Sequence, residues 1–247
     1  DNSGGDSWCF DRLYARGFEL KSFATYHDLQ RAAMRHAGDI RFDHVLGLKR
    51  LYLVPQGFGA ADGVYVQMPF EALLAATAQE SVANRCVVIG EDLGTVPQGF
   101  REQIADWGIW SYLVMMFERE GHGPFKGIDH YMANALATFN THDLSTYAGW
   151  RSFGDLKTKR ALGIDPGESD DARWHALAML DDVLRRNGID RNDVFSVLGL
   201  LARTKSRLLA ISLEDILGVV DQPNIPGTVN EHPNWRRRLP VPIEQMT

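Results

Sequence analysis

Three acids close three short apolar stretches of the 247-residue chain: Asp43 in Arg41-Phe42-Asp43-His44, Glu91 in Val87-Val88-Ile89-Gly90-Glu91-Asp92-Leu93-Gly94, and Asp143 in Thr141-His142-Asp143-Leu144. Carboxyl groups held in pairs suit the cleavage of a glycosidic bond. That reaction takes one ionised carboxylate as nucleophile and one protonated carboxyl as general acid, about 5 to 5.5 Å apart when the anomeric configuration is retained. Arg41 lies two positions before Asp43, so on a strand the two side chains share a face, where the guanidinium keeps Asp43 charged and nucleophilic. Glu91, as the donor, has to carry a proton at the working pH. His44 and His142 each adjoin an acid, and both a structural role and a hydrogen bond to a sugar hydroxyl suit them. Asp92 opens the turn after its strand and reads as a helix-side hydrogen bonder. Glu214 and Asp215 read as structural.

The elements that hold these acids follow from the runs that precede them. A short branched apolar run that ends in charge reads as a strand buried on both faces, and such strands belong to parallel sheets covered by helices. Five segments have this form, near Asp39, Cys86, Tyr112, Ala135 and Leu208. Helical patterns lie between them, such as Phe100 to Trp107 after Pro97 and Asp170 to Asn187 closed by Gly188. Alternation of strand and helix implies right-handed crossovers, with the polar strand ends converging on one rim, where a (β/α)8 barrel places its working groups. The fold class is therefore α/β, of the (β/α)8 TIM-barrel type. Residues 152–203 read as a mostly helical elaboration between the last two strands. No repeat or linker marks a boundary, so residues 1–247 read as one portion of a barrel.

Composition narrows the partners. A net charge of −6, from 26 basic and 32 acidic residues, gives no reason to expect nucleic acid or an anionic membrane. Cys9 and Cys86 are far apart and Cys86 begins an apolar strand, which suggests a buried free thiol and a reducing cytoplasm. No stretch reaches the roughly 18 consecutive apolar residues of a membrane span, and Asp1, Asp6 and Asp11 do not resemble an export leader. Without HExxH, paired CxxC or EF-hand spacing, neither a metal nor a cofactor is expected.

In order along the chain, RFDHVLGL, VIGEDLGTVP, THDLSTYAGW and EDILG with QPNIPGTVNEHPNWRRRL resemble the 4-α-glucanotransferases, also called amylomaltases or disproportionating enzymes, of the α-amylase superfamily. The resemblance runs from about Gly17 to the C-terminus. It implies transfer between maltooligosaccharides, or other α-1,4-glucans, by a retaining double displacement. Asp43 is then the nucleophile that forms a β-glucosyl-enzyme, and Glu91 is the acid and later the base. Asp143 is the third acid, binding sugar hydroxyls and supporting the transition state. Arg41 and His142 line the same subsite, and Asn224 in QPNIPGT is the asparagine contributed by the last part of the barrel.

The family's Gly-Gln-x-Trp-Gly element is replaced by Gly5-Asp6-Ser7-Trp8-Cys9, which keeps Trp8 as a substrate-binding candidate. Trp8, Tyr52, Phe58, Tyr65 and Trp150 are candidates for stacking on sugar faces, with buried packing the expected fate of most of them. The family's chain continues well before the equivalent of Asp1 and carries the first three barrel strands there. The sequence thus reads as an incomplete C-terminal portion, inactive by itself unless a complementing chain or self-association supplies the missing wall. Two alternatives remain: a catalytically silent glucan-binding or interaction fragment, and a related α-glucan hydrolase. The PGTVNEHPNWRRRL ending argues against the hydrolase.

Overall fold

A computed structural model describes residues 23–121 and 123–246. Trp8 lies outside the described residues. The chain forms two compact units, one ending at Tyr112 and the other beginning at Leu113.

The first unit runs through α1 (Ala24–Met34), β1 (Asp39–Phe42), β2 (Arg50–Leu53), β3 (Val64–Gln67), α2 (Phe70–Asn84), β4 (Val87–Gly90), α3 (Phe100–Asp106) and the start of β5 (Trp110–Val114). Strand β4 is central because its residues can be buried on both faces: Val88 and Ile89 are each 2% exposed, and β-branched side chains pack well on a pleated surface. It pairs in parallel with β1, from Asp39↔Val87 to Phe42↔Gly90, and with β5 at Ile89↔Trp110 and Gly90↔Ser111. Met34 of α1, Leu74 of α2 and Phe100 and Ile104 of α3 join Val88 in the core. Strands β2 and β3 form a separate antiparallel hairpin, which the sequence reading does not anticipate.

The second unit takes the end of β5 into β6 (Ala135–Thr138), then α4 (Tyr147–Arg151), α5 (Gly154–Ala161), α6 (Asp170–Arg186), α7 (Val194–Leu201), β7 (Leu208–Leu209) and α8 (Leu213–Ile216). The Met115 N–H donates to the Thr138 carbonyl at 2.8 Å, and β6 and β7 pair in parallel. Ser169 caps α6 by accepting from the Ala172 N–H. Arg173 of α6 is 2% exposed. It binds Asp155 through two hydrogen bonds of 2.9 and 2.8 Å and donates to the Trp150 carbonyl, tying α6 to α5 and α4. A buried guanidinium persists only when its donors are used in this way.

The strand order is β1-β4-β5-β6-β7 in one five-stranded sheet. All five expected strands form, and β1, β5 and β7 end before the runs read in the sequence do. A closed barrel of this kind takes about eight strands, so the expectation of a partial (β/α)8 arrangement is met.

Candidate active site

Asp43 and Glu91 each follow directly on one member of the last register pair of β1 and β4, Phe42↔Gly90. Adjacent strands lie about 4.8 Å apart, so the two acids leave the sheet side by side. The chain bends sharply after Asp43, with His44 in the left-handed region at φ 48° and ψ 56°. The His44 N–H donates to Glu91 Oε2 at 2.8 Å, and the Leu93 N–H donates to Oε1 at 2.9 Å. The residue next to Asp43 thus fixes the carboxyl of Glu91. Arg41 Nη1 donates to Asp43 Oδ1 at 2.6 Å, and its guanidinium lies 5.0 Å from the Tyr112 ring centre. Arg41 Nε is buried with no hydrogen-bond partner among the described residues.

The neighbouring Asp92 has a different task. It is fully buried, receives Arg101 Nε at 2.7 Å and faces the Tyr112 N–H at 3.4 Å. Burial pushes its carboxyl up, and Arg101 opposes that shift. These partners bind the end of β4 to α3 and β5. Gly90 has a steric reason: a Cβ there would come within 3.0 Å of both Ile109 and Val45.

In the second unit, Asp143 is surrounded by residues from the last part of the chain. The Asn224 side-chain amide donates to Asp143 Oδ1 at 2.6 Å, and His142 Nε2 lies 3.3 Å from Oδ2. Gln222, which the sequence reading did not single out, is 5% exposed. Its amide donates to the carbonyls of Asp143 and Asn224 at 2.9 and 2.6 Å. His232 Nε2 donates to the Gln222 carbonyl at 2.9 Å, and the Trp235 ring lies 5.3 Å from that of His142. Gln222 stands two places before Asn224 inside the QPNIPGT stretch, the one signal that could have marked it. A cavity of about 580 Å³ is lined by Asp143, Ser145 and Gln222 together with Lys159, Glu168 and His175, so the α5–α6 region walls a space beside Asp143.

Asp215 is buried and accepts the Tyr147 N–H at 2.6 Å. Burial pushes its carboxyl up to about 6, against the pull of its hydrogen bonds to Tyr147 and Asn140. Of the aromatic candidates, Trp150 is 3% exposed and packs in the core, as expected for most of them. Tyr52, Phe58 and Tyr65 are exposed instead. The first unit therefore brings Asp43, Glu91 and Arg41 together, and the second brings Asp143, His142 and Asn224 together.

Comparison with known proteins identifies the family of the chain. Residues 2–244 match the family described as 4-alpha-glucanotransferase. The 4-alpha-glucanotransferase of Haemophilus influenzae is 35% identical over 97% of this chain and 37% of its own length. That of Mycobacterium tuberculosis is 32% identical over 96% and 34%. The crystal structure of amylomaltase from Corynebacterium glutamicum superposes with a TM-score of 0.82 at 30% identity, over 90% of this chain and 34% of that one. Amylomaltase from Streptococcus agalactiae in complex with acarbose has the same fold, with a TM-score of 0.66 at 20% identity over 93% and 42%. This chain spans just over a third of the length of the two curated relatives named. A match over nearly every residue places the chain in the 4-alpha-glucanotransferase family.

Proposed function

We propose that the chain carries the catalytic rim of a 4-α-glucanotransferase and acts on maltooligosaccharides and longer α-1,4-glucans. A carboxylate oxygen of Asp43 attacks the anomeric carbon. Glu91 gives its proton to the glycosidic oxygen, and the cleaved glucan leaves with a free 4-hydroxyl. Glu91 then takes the proton from the 4-hydroxyl of an acceptor glucan, whose oxygen displaces Asp43 and restores the α-linkage. Asp143, held by Asn224, accepts hydroxyls of the sugar being transferred, and Arg41 and His142 bind beside the acids. The observation that carries this reading is the bond from the His44 N–H to Glu91, because it couples the position of the proton donor to the residue adjoining the nucleophile.

Closure of the barrel takes about eight strands, and the larger sheet of the described residues holds five. We assign the other three to a further segment or a complementing chain. A buried free thiol at Cys86 supports a reducing cytoplasm, and the substrates imply carbohydrate metabolism. No helix among the described residues is long and apolar enough to cross a membrane.

Glu91→Gln tests the division of labour. In a barrel completed with the family's remaining strands, the substitution should slow transfer from maltotriose by about 10²- to 10⁴-fold. A burst of fluoride from α-maltosyl fluoride should survive, since fluoride leaves without a proton. Equal loss on both substrates would remove Glu91 from the acid role.

A further inference from the structure

The β2–β3 hairpin carries two tyrosines that the catalytic reading leaves unused. Tyr52 and Tyr65 are directly opposed in register, so their rings stand on one face of the hairpin, and the pair Arg50↔Gln67 shares that face. The ring centres are 4.9 Å apart and the ring planes are tilted by 57°. The residues are 42% and 52% exposed.

The rings are fixed without a ligand. The Tyr52 hydroxyl donates to the Ala60 carbonyl at 2.5 Å, and the Arg50 guanidinium lies 4.3 Å from the centre of the Tyr65 ring. Gly63 leaves the space that the Tyr52 ring needs, because a Cβ there would come within 2.5 Å of Cε1 and Cζ. Arg50 also donates to the Thr95 carbonyl at 3.3 Å, which sets the face beside the loop that leaves Glu91.

We propose that this face is a binding platform for an α-1,4-glucan chain, a proposal that rests on the glucan reading above. Successive α-linked glucoses turn against one another, so their apolar C–H faces meet the protein at an angle, and a bent aromatic pair follows that turn. A flat β-1,4-linked chain presents coplanar faces and fits coplanar rings instead. Arg50 and Gln67 border the rings with donors and an acceptor for sugar hydroxyls, so the face combines apolar area with a few oriented polar groups. Because the rings and Arg50 are already ordered, little conformational freedom is lost on binding.

Calorimetric titration of a barrel in which this chain is joined to the family's other three strands, carrying Asp43→Asn so that no sugar is turned over, with maltoheptaose and with cellohexaose tests the platform. Maltoheptaose is expected to bind and cellohexaose to bind at least about tenfold more weakly. Tyr65→Ala and Tyr65→Leu should each weaken maltoheptaose binding by about fivefold, since both remove the flat ring, whereas Tyr65→Phe should stay within about twofold. The leucine variant keeps apolar bulk, so it separates loss of the ring from loss of the hairpin. Equal binding of the two sugars, no binding of maltoheptaose, or full binding by folded Tyr65→Leu would each overturn the proposal. Failure of glucan transfer would show in the maltotriose assay alone and leave these binding results standing.

Discussion

Asp143 takes its orientation from residues far along the chain: Asn224 reaches its carboxylate from 81 positions later, and Gln222 holds the backbone carbonyls of both. A hydrogen bond to a charged group is worth about 1.5 to 3 kcal/mol. Asn224→Ala should therefore lower kcat for maltotriose transfer by about 10- to 100-fold in a completed barrel, with the unfolding midpoint little changed. Asp215 shows a different effect at this scale. Its carboxyl is raised to about 6 by burial, so its contribution to stability is full below the ordinary aspartate range and is lost as pH rises through 6. The loss amounts to roughly 2 kcal/mol between pH 4 and 7. Asp215→Asn keeps an acceptor for the Tyr147 N–H and should remove this part of the pH dependence, read from urea midpoints across that range. The acids were legible in the sequence because a charge ending an apolar run is conspicuous. Gln222 was not, because an amide that serves only backbone carbonyls looks like any polar residue of a loop.

Strand β4 owes its legibility to Val87, Val88 and Ile89, which need both faces covered and so announce a central parallel strand. Its last residue is set by space. Val45 and Ile109 flank Gly90, and both are buried. Gly90→Ala should cost about 1 to 3 kcal/mol as overpacking, seen as a lower urea midpoint at unchanged slope. The β2–β3 hairpin stayed hidden for the opposite reason. Its strands, Arg50–Leu53 and Val64–Gln67, expose Tyr52, Leu53, Val64 and Tyr65. A pattern that leaves both faces partly wet has no clean alternation of apolar and polar residues to follow. The helix over Asp170–Arg186 was readable from its period and the closing glycine, and the structure ends it one residue early.

At the scale of the molecule, acids directly follow β1 and β4 and a third lies in the loop after β6, and the family match extends over nearly the whole chain. The number and direction of the strands in the larger sheet were legible because the alternation of strand and helix fixes both. The pairing of Asp143 with the C-terminal segment was not, since contacts across some eighty residues leave no local pattern. The central claim is that Asp43 carries the glycosyl group between two α-1,4-glucans. Its most direct test is chromatography of products after maltotriose is incubated with a barrel in which this chain is joined to the family's other three strands, beside the same protein with Asp43→Asn. The account predicts glucose plus a ladder of longer maltooligosaccharides, abolished by the substitution. A ladder that persists with Asp43→Asn, or hydrolysis products alone from the folded parent, would contradict it.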